Sequence, residues 1–314
     1  MATPLVHQST CQFARLLRAT LLAVAMLAVS PHTVIGDDTT PLKLMTHNVW
    51  YGFTKKSAPR YDQWRAWMAE QAPDVVSLQE LNGYTAEKLA ADAASWGHAH
   101  SALLKDDGFA TGITSRFPLS NVARIREGFH HGLLRCRVEG VWIYVIHFHP
   151  SNYAHRIAEA ALLAEDIAGL AEDSPRIILA GDFNGFAPVD KPHYDADPAL
   201  EPFFMRLDAE NPQARNLNNG RLDYGGLEAI VAQGFIDVVA SRRTPSDPFV
   251  GTFPTSLVSD EDHGTDRRLD YIFVTPNLFK AVESAAILRD ATTEVLSDHI
   301  PVTATLRLPR NPGR

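Results

Sequence analysis

A chain of 314 residues, 45% hydrophobic and 21% charged, has ordinary globular composition and length for one large domain or two small ones. Its formal net charge of −8, from 37 acidic and 29 basic residues, excludes a broad basic face that grips nucleic acid by charge alone. A local cationic patch or a bound metal would still be able to neutralise a few phosphates.

The chain opens with a distinct segment, residues 1–36. Arg15 and Arg18 precede the uncharged apolar run 19–29, which is short for a bilayer span, and Val34, Ile35 and Gly36 lie before the polar Asp37. This is the layout of a secretory signal peptide, with an uncleaved anchor as the alternative. Cleavage would leave residues 37–314 as one domain with a charge of about −10 and no transmembrane segment. The expected destination is the periplasm or the medium. Cys136 would be the one remaining cysteine, read as a buried inert thiol.

Apolar strand-like runs then recur at residues 42–48, 75–79, 112–115, 133–138, 141–147, 177–181, 269–274 and 301–306. Helical patterns lie between some of them. Residues 60–71 carry Trp64, Trp67 and Met68 at helical spacing and stop before Pro73, and the tryptophans read as core. Residues 85–95 and 155–170 are also predicted helical, the latter with Ile157, Ala161, Ala164 and Ala168 on one face. Residues 186–219, rich in Pro, Asp and Asn, read as a long surface loop. The pair 133–138 and 141–147 turns on Glu139 and Gly140 as a hairpin. That mixture predicts an α/β (α+β) fold: largely antiparallel sheets with helices packed outside.

The ends of the apolar runs collect chemistry. Asn48 ends the first and Glu80 the second. His147 and His149 end the fifth, and Asp182 and Asn184 follow the sixth. Asp270 lies near the start of the seventh, and Asp298 and His299 stand just before the last. Each has a bland reading as a turn or solvated end. Together, on strands lying side by side, they would converge on one rim. An oxygen-rich cluster without cysteine suits a hard cation, Mg²⁺ first, with Mn²⁺ or Ca²⁺ as alternatives.

The fragments THNVWYG, SLQEL, TSRFPL, VIHFHPSN, ILAGDFN, RLDYIFV and SDHIPV, in this order across residues 41–308, resemble the endonuclease/exonuclease/phosphatase superfamily with its deoxyribonuclease I-like fold. The resemblance implies a four-layered sandwich, two packed β-sheets with helices on both outer faces, and metal-dependent phosphoester hydrolysis. By motif, it assigns Asn48, Glu80 and Asp298 to the metal side. It assigns His147, Asp182, Asn184, Asp270 and His299 to catalysis, with Asp270 orienting His299. His299 and Asp182 compete for the role of general base.

Other positions stay open. His149 is a substrate contact or second ligand, and Asp107 a weak candidate for the acid that orients His147. Arg116 is a phosphate contact or a structural ion pair. His130–His131 could add metal affinity, and residues 260–266 read as a flexible acidic loop. No Lys/Arg cluster is apparent near the motifs. The expected substrate is a phosphodiester, whether nucleic acid, phospholipid or small molecule. A phosphomonoesterase is the alternative, and an inactive binding module on the same fold ranks below both. No stable protein partner is implied.

Overall fold

The computed structural model describes residues 39–244 and 246–309, so the segment 1–36 read as a signal peptide lies outside the described residues. In chain order the strands are β1 (Thr39–Asn48), β2 (Val75–Gln79), β3 (His100–Leu103), β4 (Gly112–Ser115), β5 (Ser120–Ile125), β6 (Leu133–Val138) and β7 (Val141–His147). They continue as β8 (Ile177–Asp182), β9 (Leu217–Asn218), β10 (Arg221–Leu222), β11 (Ile236–Asp237), β12 (Asp270–Val274), β13 (Val282–Ile287) and β14 (Val302–Pro309). The main helices are α1 (Tyr61–Gln71), α2 (Ala86–Ser95), α3 (Tyr153–Ala168), α4 (Leu200–Glu210) and α5 (Gly225–Ala232).

Two six-stranded sheets form, in the orders β13-β14-β1-β2-β4-β3 and β11-β12-β8-β7-β6-β5. Most pairs are antiparallel. The two parallel pairs, β1 with β2 and β7 with β8, are each joined through a helix, α1 and α3, because a parallel return needs a crossover. Between the sheets lies an aliphatic core that includes Leu44, Val75, Ile113, Ile143, Ile178, Ile272 and Ala304. Trp64, Met68 and Leu89 of α1 and α2 cover the outer face of the first sheet. Ala160, Leu163, Leu227 and Ile230 of α3 and α5 cover the second. The result is the expected four-layered α/β sandwich. Among the described residues, no helix is long and apolar enough to cross a membrane.

Three readings need correction. Residues 186–219 are not a loop. They hold short helical turns and α4, whose Leu200 and Phe204 are buried in a satellite cluster with Phe186 and Tyr194. Several of the prolines sit in first turns, where a missing N–H costs nothing. The buried face of α3 carries Arg156, Glu159, Ala160 and Leu163, whereas Ile157 is 37% exposed. Small alanines on all sides of this helix hide its inward stripe. Residues 260–266 include a helical turn, Asp260–His263, and Asp266 is ion-paired with Arg289 at 2.5 Å. Cys136 is buried, and burial pushes its thiol up to about 12.

Candidate active site

The register of the second sheet lines up three side chains. His147 is the Cα partner of Asp182 across β7 and β8, and Asp270 is the partner of Asp182 across β8 and β12. Gly181 permits this close approach: a Cβ there would stand 2.0 Å from the carbonyl oxygen of Ile146. In the first sheet, Asn48 pairs with Gln79, which leaves Glu80 just past the end of β2. Asn48 Nδ2 joins the two sheets. It donates to Glu80 Oε1 at 3.2 Å and to Asp182 Oδ2 at 3.1 Å.

A left-handed turn beside Asn48 completes that side. Trp50, Tyr51, Gly52 and Phe53 all have φ between 47° and 63°. Such residues cost roughly 1–2 kcal/mol each when they bear a side chain. The turn is held by the site itself: Trp50 N donates to Asn48 Oδ1 at 3.1 Å and Tyr51 N to Glu80 Oε2 at 2.9 Å. Glu80 is itself left-handed, with φ 59°. Strain of this kind clusters at functional sites.

His299 arrives from the loop before β14. Ser297 Oγ ties that loop to Asn48 O at 2.7 Å, and His47 Nε2 reaches His299 O at 3.2 Å. Trp64 Nε1 donates to His47 Nδ1 at 3.1 Å, so His47 carries its proton on Nε2 and donates to His299. His299 Nδ1 lies 2.8 Å from Asp270 Oδ2, and its Nε2 is 3.9 Å from Asp182 Oδ2. Burial works against a charged ring here, but Asp270 and Asp182 outweigh it and lift His299 to about 10. The two carboxylates therefore favour the charged form of the His299 ring. Burial pushes Asp182 up to about 7, with His299 pulling the other way. Asp182 Oδ1 also accepts from Asn184 N at 2.8 Å. Asn184, at φ 48°, donates through Nδ2 to Phe148 O at 3.0 Å.

His147 has a different neighbourhood. Its Nε2 is 3.8 Å from Asp182 Oδ2, its Nδ1 has no hydrogen-bond partner, and its ring stacks on His131 with centroids 3.9 Å apart. Burial, then His131, holds it well below the usual histidine range, so it is neutral. Asp107 does not orient it. That carboxylate is exposed and bound to Arg126 at 2.9 Å. Nor does His149 continue the row, because β7 ends at His147 and the His149 ring packs on His130 and His155 instead. Arg116 pairs with Asp74 at 3.4 Å and is structural.

The polar side chains open into one cleft of about 480 Å³, lined among others by Glu80, His147, Asp182, Asn184, Asp298 and His299. Asn48 and Asp270 stand behind them. All eight side chains picked from the sequence thus belong to one centre. The cleft has further lining residues that the strand-end reading did not single out. His131 was noted only as part of a His–His pair, and Arg156 and Arg267 escaped notice because neither falls in a strand-end motif. Arg267 shares the RRLDY fragment with Asp270, which was the available signal.

Oxygen donors suited to a divalent metal lie on the first-sheet side. Burial pushes Asp298 up to about 7; His299 pulls against that and Glu80 adds to it. Tyr51 also feels both Glu80 and Asp298. Carboxylates crowded and desolvated in this way fit a hard cation. The tightest group of possible ligand atoms among the described residues is Asp182, Asp270 and His299, within 4.8 Å of one another. There, however, His299 Nδ1–H donates to Asp270 Oδ2 at 2.8 Å, so that pair of atoms is already engaged with each other.

Residues 45–299 match the Endonuclease/Exonuclease/phosphatase family, and the chain belongs to it. It is therefore a hydrolase of the nuclease/phosphatase type. No curated protein matches the chain. Among solved structures, it is similar to an AP endonuclease from Archaeoglobus fulgidus, with 20% identity, TM-score 0.60, and coverage of 84% of this chain and 99% of that one. It is also similar to a single-substitution variant of the 3′ phosphatase NExo from Neisseria bound to a product DNA hairpin, with 20% identity, TM-score 0.59, and coverage of 84% and 98%. The 3′-5′ exonuclease NExo from Neisseria meningitidis gives 21% identity, TM-score 0.58, and coverage of 85% and 100%. These likenesses establish the deoxyribonuclease I-like fold.

Proposed function

We propose that the chain is a secreted, Mg²⁺-dependent phosphoesterase that cleaves phosphodiester bonds. The observation that supports this reading is the bridge from Asn48 Nδ2 to both Glu80 and Asp182, which brings the two carboxylates proposed for metal binding and for catalysis to one amide. Glu80 and Asp298, with Asn48, would hold the cation, which supplies charge neutralisation on a non-bridging phosphate oxygen.

The remaining groups have distinct tasks. His299, kept charged by Asp270, faces the phosphate as a cation and offers Nε2–H to an equatorial oxygen. Asp182, raised to about 7, is the better base: it accepts the proton of the attacking water near neutral pH. Asn184 holds Asp182 through its backbone N–H. Neutral His147 supplies a donor or acceptor on the far wall. The charge balance thus favours Asp182 over His299 as base.

Hydrolysis by residues 37–314 tests the reading. Bis-p-nitrophenyl phosphate, plasmid DNA and sphingomyelin would be offered with Mg²⁺, Mn²⁺ or EDTA. Cleavage of at least one, abolished by EDTA, is expected, and the substrate cleaved identifies the class. Turnover that persists in EDTA, or none on any of them from folded protein, overturns the proposal.

A further inference from the structure

Among the described residues three arginines are buried, Arg156, Arg267 and Arg268, at 3%, 6% and 0% exposure. Only one makes an ion pair. Arg268 makes ion pairs to Asp190 at 2.6 Å and Asp237 at 2.5 Å. Arg156 has a single hydrogen bond, from Nη1 to the carbonyl of His149 at 3.1 Å. Arg267 likewise has only Nη1 to the carbonyl of Thr265 at 2.9 Å, and its buried Nε has no partner. Neither reaches a described carboxylate within ion-pair distance. Carboxylates act on both only from further off, Asp223, Glu159 and Asp182 on Arg156 and Asp266 and Asp182 on Arg267, so each buried guanidinium keeps N–H groups that no anion contacts directly, a costly arrangement for a buried cation.

Both arginines line the cleft that holds Asp182 and His299. The Arg267 guanidinium is fixed in a cage of rings, 4.7 Å from the Phe253 centroid, 5.3 Å from Phe204 and 5.5 Å from Phe203. Ring faces hold a guanidinium in place while leaving its N–H edge free. Phe203 and Phe204 belong to α4, in the segment that reads as a loop from sequence. This helix therefore walls one end of the cleft, and the volume of about 480 Å³ is that of a small-molecule site.

We infer that Arg156 and Arg267 form an anion subsite at the α4 end of the cleft, which selects small phosphoesters carrying one negative charge more than a simple diester. That extra charge has two sources: the second ionisation of a phosphomonoester, or a second phosphate linked to the first. The inference rests on the phosphoesterase reading for its link to turnover.

The test compares three substrates in the full chain and in Arg267→Gln and Arg156→Gln. Bis-p-nitrophenyl phosphate carries one charge, p-nitrophenyl phosphate carries the extra charge on the scissile group, and ADP-ribose carries it on a linked phosphate. Loss of a charge-assisted contact should cost roughly ten- to hundredfold. In either variant kcat/KM should therefore fall at least about tenfold more for one of the doubly charged substrates than for the diester. The substrate that suffers identifies the source. Arg267→Lys, which keeps the charge, should recover part of that ratio. Equal losses on all three substrates, or no loss, overturn the inference.

If wild type turns over none of the three, the functional reading has failed, and the subsite is judged by calorimetric binding of inorganic pyrophosphate in EDTA. Binding weakened tenfold or more by Arg267→Gln supports it; absent or unaltered binding overturns it. Melting curves, with Arg267→Lys as the folded control, separate loss of the subsite from loss of the fold.

Discussion

His299 Nδ1 stands 2.8 Å from Asp270 Oδ2, and both residues are almost wholly buried. This contact orients the ring, aims Nε2 towards Asp182, and favours the charged form of the ring. Asp270→Asn removes the charge but keeps the shape. Activity should fall by about 10²–10⁴-fold, the usual scale for a misaligned or wrongly protonated histidine. His299, lifted to about 10 in the native chain, should then titrate lower. The alkaline limb of the pH–rate profile should move towards neutrality, which a pH series on both proteins would show. An unmoved limb would contradict the role given to the pair.

The same shift has a sign for stability. A histidine raised above its unfolded value of about 6.5 stabilises fully below that value and loses the effect as pH rises through its folded pKa. The His299 contribution should therefore fade between about pH 6.5 and 10. His131 behaves oppositely. Burial, then His130, lowers it to about 3, so the unfolded chain takes up a proton below about pH 6.5 that the folded chain refuses. Acid should cost about 1.4 kcal/mol per pH unit at this one group between those limits. His131→Asn should lessen the acid sensitivity in denaturant titrations at pH 7 and pH 5.

Glu159, buried on α3, accepts from the backbone N–H of His130 and of His149, each at 2.8 Å. One carboxylate thereby clamps the two segments that form the histidine wall. Glu159→Ala would leave two part-buried amides without this acceptor, at up to about 1 kcal/mol each. A melt should show the loss, and amide exchange at His130 and His149 should accelerate beyond the global change. Protection at those amides equal to wild type would contradict the clamp.

Gly52 sits in the left-handed turn at φ 60°, and a Cβ there would meet the carbonyl oxygen of Asn82 at 2.3 Å. Gly52→Ala should destabilise by about 2–4 kcal/mol, combining backbone strain with overpacking. Because Tyr51 N holds Glu80, the stabilisation conferred by millimolar Mg²⁺ should shrink as well. Paired melts with Mg²⁺ and with EDTA measure both effects.

Legibility from sequence followed burial. Val141–His147 is buried at every position, so an unbroken apolar run marks it, and the central strands β2, β4, β6 and β7 emerged with their bounds. The edge strands β5 and β13 did not. Ser120–Ile125 and Val282–Ile287 show polar side chains to solvent and lack a run to detect. The site side chains were legible because each ends or adjoins a readable strand. Arg156 and Glu159 were not, since they lie on the inward stripe of a helix whose small alanines suggested another face. Arg267 lies ahead of its strand and outside any strand-end motif, beside Arg268, which is ion-paired with Asp190 and Asp237. The stacking of His131 on His147 depends on a loop that no local pattern specifies.

The central claim is that Glu80 and its neighbours hold a metal that turnover requires. The direct measurement is the Mg²⁺ dependence of bis-p-nitrophenyl phosphate hydrolysis by wild type and Glu80→Gln, each stripped with EDTA first. Wild type should be inactive when stripped and recover with Mg²⁺, while Glu80→Gln should need at least about tenfold more Mg²⁺ for half-recovery. Activity that survives stripping, or the same Mg²⁺ requirement in both proteins, would contradict the account.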